Sequence, residues 1–216
     1  MMSKAYDSRV DAVRYVILRK LAAGMRHALM GELQAIQFAA DLAARKVKRS
    51  VTGSQLSEAV NQISDQTRAA AAASRSIMEW LRPETGSSTE VEPAVQECVK
   101  LAGEVWILRG VKATTNCKTG HAKVAKAVFF ELVVASLLAL TDLCPGSLDI
   151  DLVAEQLDGR VVLNIRARTA DRISTSPTIP DRPLTFDDVR MLAEAHGISC
   201  VCGDATITLE FQAIAA

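Results

Sequence analysis

The sequence predicts an α+β chain, with an antiparallel helical hairpin at its N-terminal end and an α/β sandwich behind it. Three observations predict this. From about Ser8 to Arg49 there is no proline, and apolar residues recur at alternating steps of four and three. A second stretch ending at Leu81 keeps the same spacing. Beyond Pro83 three helical stretches alternate with short β-rich segments, the pattern of helices laid on one face of a mixed or antiparallel sheet.

The composition bounds the function. The 216 residues are 49% hydrophobic and 23% charged, close to globular averages, which excludes a disordered or low-complexity chain. Lys plus Arg equal Asp plus Glu at 25 each, so there is no excess of positive charge for a nucleic acid or an anionic membrane. Neither is expected as a partner. The longest apolar run, Ala127 to Leu140, is interrupted by Glu131 and Ser136 and is shorter than the roughly 20 residues of a membrane span. The first residues lack the basic-then-apolar layout of a signal peptide, so the expected location is the cytoplasm. Five cysteines, Cys98, Cys117, Cys144, Cys200 and Cys202, are an odd number and read as reduced core residues rather than metal ligands.

The first helix presents Leu18, Ala22, Met25, Leu29, Ile36 and Ala39 on one stripe, widened by Leu21, Leu33 and Ala40. Arg45, Lys46, Lys48 and Arg49 crowd its end, where cations complement exposed carbonyls. Ser50 to Gly53 is a turn, and Ser54 can cap a second helix to about Leu81. Leu56, Val60, Ile63, Thr67, Ala70, Ser74, Ile77 and Leu81 form its seam, with Thr67 and Ser74 tolerable if their hydroxyls bond back one turn. One hairpin cannot enclose both the narrow seam and the wide stripe, so a homodimer forming a four-helix bundle is expected.

Polar, turn-rich residues 83–91 read as a linker between a hairpin domain at 1–82 and an α/β domain at 92–216. The second domain reads as a helix from Glu92 to Leu108, a strand from Val111 to Cys117 and a helix from Ala122 to Leu143. Strands from Ser147 to Glu155 and Val161 to Arg168 follow, turned through Leu157-Asp158-Gly159. After a proline-containing loop come a helix from Phe186 to His196, with Thr185 and Asp188 in capping-box positions, and strands from Ile198 to Cys202 and Thr206 to Phe211.

His27 is the residue the helical pattern singles out, though a lone helical histidine is more often an incidental surface or core residue. It lies about 180° from the stripe through Leu18 and Ile36, on the solvent side. Its adjacent turns hold Ala23, Gly24, Ala28 and Gly31, so little side-chain bulk surrounds the imidazole. A mid-helix glycine costs about 1 kcal/mol relative to alanine, which fits either the close approach of another protein or tight packing of a helix of the same chain.

Two strings carry a family resemblance. His27-Ala-Leu-Met-Gly-Glu-Leu-Gln-Ala-Ile keeps an H-x-L-x-x-x-L framework in His27, Leu29 and Leu33, and Val189-Arg-Met-Leu-Ala-Glu-Ala-His-Gly197 is similar to a V-R-x-I-V-E-A-H-G segment. With the order of elements, they resemble the bacterial two-component histidine kinases: a dimerising hairpin bearing the phosphoacceptor histidine, then an ATP-binding domain of the GHKL (Bergerat) type. The resemblance implies His27 as phosphoacceptor. It also implies nucleotide-binding elements, and these are altered. Glu131 keeps the acidic position of the Asn-rich helix, but Ala135 stands where a Mg²⁺-ligating Asn is expected. Ala167 stands for the adenine-reading Asp, with Thr169 and Asp171 for its glycines, and Pro183 and Thr185 replace loop glycines. Alanine offers a metal nothing, and proline has no N–H for a phosphate. In the histidine motif the usual acid is Ala28, the usual Thr or Asn is Gly31 and the usual Pro is Glu32.

The expectation is therefore a histidine phosphotransfer protein without bound cofactor, relaying phosphoryl groups between receiver-domain aspartates through His27. The docking surface would be Ala23, Gly24, Ala28 and Gly31, and Mg²⁺ would come only with a partner receiver. The expected partners are response-regulator receivers, with a histidine kinase as a further candidate. The alternatives are an inactive module docking a response regulator or kinase, and an ATP-dependent kinase.

Overall fold

A computed structural model describes residues 8–48, 53–81, 86–106, 109–144, 146–170 and 182–214, with backbone only at 28, 55, 73 and 75–81. Two long helices open the chain, α1 (Ser8–Lys48) and α2 (Gly53–Leu81). The rest comprises β1 (Ser88–Glu90), α3 (Val91–Trp106), β2 (Lys112–Lys118), β3 (Lys123–Ala125), α4 (Lys126–Leu143), β4 (Leu148–Leu157), β5 (Arg160–Thr169), α5 (Phe186–Ala195), β6 (Ser199–Gly203) and β7 (Thr206–Gln212). The protein is α+β, a long helical hairpin followed by a mixed sheet with helices.

Five strands form one sheet in the order β2-β4-β5-β7-β6. Only β2 and β4 are parallel, and a return in that sense requires a crossover, here made through α4. The hairpin turns follow local chemistry. Asp158 and Gly159, at φ 48° and 76°, are both left-handed, as a two-residue turn matched to strand twist requires. Asp204 and Ala205 repeat that conformation between β6 and β7, at φ 40° and 58°.

Alternation along the strands places Leu148, Ile150, Leu152 and Ala154 of β4, Val161, Leu163, Ile165 and Ala167 of β5, and Ile207, Leu209 and Phe211 of β7 in the core. α4 packs against α3 and α5 and reaches β5 and β7, and every residue from Leu132 to Thr141 is buried. This explains the long apolar run: the helix is covered all round. Phe129 meets Phe211 with ring centroids 4.8 Å apart.

The chain divides into two compact units, Ala23–Arg82 in one, Met1–Ala22 with Pro83–Ala216 in the other. The break after residue 82 falls where the sequence reading put it, but residues 1–22 go with the α/β unit instead of the hairpin. The first turns of α1 belong with the α/β unit, where Val10, Val13, Ile17 and Leu21 are buried. The stripe through Leu18 and Ala22 therefore needs correction at this end, since Leu18 is half-buried and Ala22 exposed. Both lines obey the helical period, and burial in the α/β unit selects the one carrying larger β-branched side chains.

Two short strands escape sequence reading. Ser88–Glu90 lies inside the stretch read as linker and pairs antiparallel with Lys123–Ala125, so α4 starts at Lys126 instead of Ala122. Three polar residues carry no usable period. Elsewhere local chemistry is as expected. The hydroxyls of Thr67 and Ser74 donate to the carbonyls of Ile63 and Ala70, at 2.8 and 2.9 Å. Thr185 and Asp188 form the reciprocal capping box of α5.

In the hairpin unit the buried side chains are mostly small: Ala39, Ala43, Ala59 and Ala70, with Met25. Met30, Leu33, Phe38 and Val47 of α1 and Leu56 and Val60 of α2 are exposed. The seam read from Leu56 and Val60 is thus not covered within the single chain. Among the described residues no helix is long and apolar enough to cross a membrane.

Candidate functional site

His27 lies within the uninterrupted α1, and its side chain is exposed. Ala23 and Gly31 are exposed as well, and a Cβ added at Gly31 would meet nothing within 4 Å. The turn after His27 therefore offers open surface. Gly24 is buried, so it lies under cover instead of contributing to that surface. The side chain of Ala28 lies outside the described residues. Glu32 is half-buried and Leu33 is 48% exposed. A neutral imidazole so placed has a ring nitrogen free to act as nucleophile toward an acyl phosphate brought to it.

The nucleotide-related positions are in the α/β unit. Ala135 on α4 and Ala167 on β5 are buried among core side chains. Thr169 ends β5, Pro183 is exposed, and Thr185 is engaged as the cap of α5. Asp171 lies outside the described residues. Among the described residues no group of three His, Cys, Asp or Glu side chains is gathered as for a metal ion. Of these positions, Glu131 is the carboxylate that lies among the described residues.

That carboxylate is already engaged. Arg14 Nε donates to Glu131 Oε1 at 2.6 Å, and Arg14 Nη2 lies 3.4 Å from Oε2. His196 Nε2 lies 2.7 Å from the same Oε2 and 3.4 Å from Arg14 Nη2. Burial alone would raise the Glu131 pKa, but hydrogen bonds and charge from His196 and Arg14 outweigh it and hold the carboxyl below its ordinary value. The Arg14 guanidinium is raised in turn, chiefly by its bond to Glu131, against the opposing effect of burial.

A second ion cluster sits at the other end of α4. Lys20 Nζ lies 2.9 Å from Asp142 Oδ2, and the same oxygen accepts from the backbone N–H of Leu184 at 2.8 Å. Arg109 Nη1 is 3.7 Å from Asp142 Oδ1. Sequence reading did not single out Arg14, Lys20 or Asp142, because each gains its role only from partners distant in the chain. His196 was legible as the last residue of a helix, and it is the C-cap of α5. His121 is exposed, with Nδ1 3.5 Å from Glu90, and no catalytic arrangement surrounds it.

No family model and no curated protein matches the sequence. Solved structures do. A bacterial phosphotransferase matches with TM-score 0.40 and 17% identity over 98% of both chains. The histidine kinase ThkA in complex with the response regulator TrrA matches with TM-score 0.43 and 13% identity, over 95% of this chain and 64% of that one. The catalytic domain of ThkA alone gives TM-score 0.44 and 10% identity, over 59% of this chain and 94% of that one. The chain is thus similar in structure to bacterial histidine kinases and to a bacterial phosphotransferase.

Proposed function

We propose that the protein is a histidine phosphotransfer protein that exchanges phosphoryl groups with receiver-domain aspartates through His27, without using ATP. The observation that carries the reading is the exposed His27 ring beside the open turn at Gly31. A ring nitrogen of neutral His27 attacks the phosphorus of an aspartyl phosphate. An N–P bond forms, the P–O bond to the aspartate breaks, and the carboxylate leaves with its electron pair. In the reverse direction the aspartate is the nucleophile. The chain itself contributes the nucleophile and an unobstructed approach, and in-line positioning by docking supplies much of the rate.

The α/β unit supports the same reading by what it lacks. Ala135, Ala167 and Pro183 supply no metal ligand, no adenine acceptor and no phosphate-binding N–H, and Glu131 is bound to Arg14 and His196. The exposed Met30, Leu33, Leu56 and Val60 support a homodimer, because a second copy would bury apolar surface that one chain leaves in water.

The test is transfer from a radiolabelled phosphorylated receiver, followed as acid-labile, alkali-stable label on this chain. Label on the wild type and none on His27→Ala is expected. Label persisting in His27→Ala would refute the assignment. Receiver binding without transfer would convert the reading to a docking module.

A further inference from the structure

Cys200 and Cys202 lie two residues apart on β6, so both side chains project from the same face of the strand. Their sulfur atoms are 3.5 Å apart. Both are half-buried, while Val201 between them points the other way and is 65% exposed. β6 is the last strand of its sheet, so only β7 pairs with it, in the register Cys200 to Leu209 and Cys202 to Ile207. Burial, followed by the hydrogen bond and charge of Cys202, pushes the Cys200 thiol up to about 12, and either sulfur can donate in the bond between them.

We propose that Cys200 and Cys202 form a bidentate thiol site for a soft thiophile, of the class of a monosubstituted trivalent arsenical. Three considerations select this class. A direct disulfide is disfavoured: residues i and i+2 of a strand stand about 6.6 Å apart at Cα, near the upper limit of roughly 6.8 Å for a disulfide. Closing one would shorten β6 and disturb its pairing with β7. A centre bridging the two sulfurs uses them as they stand. Cysteine sulfur is a soft ligand and prefers soft centres, which here displace the thiol protons. Among the described residues no third metal-type ligand joins the pair, which leaves a tetrahedral zinc site incomplete but suffices for arsenic carrying its own organic substituent.

The chemistry balances without an oxidant. An organoarsenoxide, R–As=O, condenses with two thiols. Two As–S bonds form, the arsenic–oxygen bond breaks, and the oxygen leaves as water with both thiol protons. Arsenic remains trivalent. This site is independent of the relay reading and shares no residue with it.

The probe is phenylarsine oxide added to the intact 216-residue chain. One equivalent should consume two thiols by Ellman titration and add one phenylarsenic group in place of two hydrogens by intact mass. A dithiol such as 2,3-dimercaptopropanol should remove it, and excess monothiol should not. Cys200→Ser and Cys202→Ser should each lose stoichiometric uptake, while Cys117→Ser and Cys144→Ser keep it. Mapping the wild type keeps the test open if a serine variant misfolds, because residues 191–216 form a tryptic peptide with these two cysteines and no other. Protection of both from alkylation supports the site. Uptake that leaves that peptide fully alkylated, or survives in both serine variants, overturns it.

Discussion

Lys20 of α1 and Asp142 of α4 form an ion pair at 2.9 Å whose two side chains are only 4% and 12% exposed. Removing one partner of a buried pair strands the other, at about 3–5 kcal/mol. Asp142 retains Arg109 and the Leu184 N–H when Lys20 is lost, so Lys20→Met should cost about 3 kcal/mol, the low end. Asp142→Ala should cost more, since it strands Lys20 and the Leu184 backbone donor together and takes the counter-charge from Arg109, which keeps its bond to the Thr141 carbonyl. Urea unfolding of both variants gives the order.

Acid should loosen the contact between Arg14 and Glu131. The folded pKa of Glu131 is depressed below its ordinary value of 4.5. The stabilisation it brings is therefore fully present above that value and lost as pH falls through the lower, folded one. The drop in urea midpoint between neutral and strongly acidic pH should be smaller in Glu131→Gln than in the wild type. An unchanged drop would show that this carboxylate does not contribute to acid lability.

Enlarging Gly31 separates stability from docking. Space around it is open, and replacing a mid-helix glycine gains roughly 0.5–1 kcal/mol. Gly31→Gln should thus raise the melting temperature slightly while lowering phosphoryl transfer from a receiver by tenfold or more. Undiminished transfer would show that the receiver does not approach over that turn.

A titration with ATP and Mg²⁺ should produce no appreciable heat, and Ala135→Asn should not restore binding, because Ala167 and Pro183 remain and Glu131 is still engaged. A micromolar dissociation constant, about −8 kcal/mol, would instead favour the kinase alternative.

Val60 is 54% exposed on α2, so a charge there disturbs nothing within one chain. Val60→Glu should keep its helical content but sediment as a monomer, whereas the wild type sediments at about twice the chain mass. A monomeric wild type at micromolar concentration would contradict the dimer.

Local signals made most of the fold legible. The capping box at Thr185, the turn at Asp158-Gly159 and the back-bonded Thr67 and Ser74 each depend on neighbours within four residues. His27 stood out because the helical period alone puts it opposite an apolar stripe. The pairing of Ser88–Glu90 with Lys123–Ala125 and the engagement of Glu131 by Arg14 were not legible, because neither leaves a periodic trace. The α1 stripe was misassigned at its N-terminal end for a related reason. Two apolar lines one residue apart satisfy the same period, and the choice between them is made by tertiary burial.

Arg14 precedes Glu131 by 117 residues, which has a consequence for biosynthesis. At ordinary rates of translation the partner carboxylate follows on the order of ten seconds after the arginine. Throughout that interval Val10, Val13, Ile17 and Leu21 exist without the α/β unit that later buries them. Contacts so distant in sequence carry a large loop-closure entropy and form late. The ribosome therefore releases α1 well before its own core is available to receive it, and the α/β unit is completed by a helix made long before the strands it packs with.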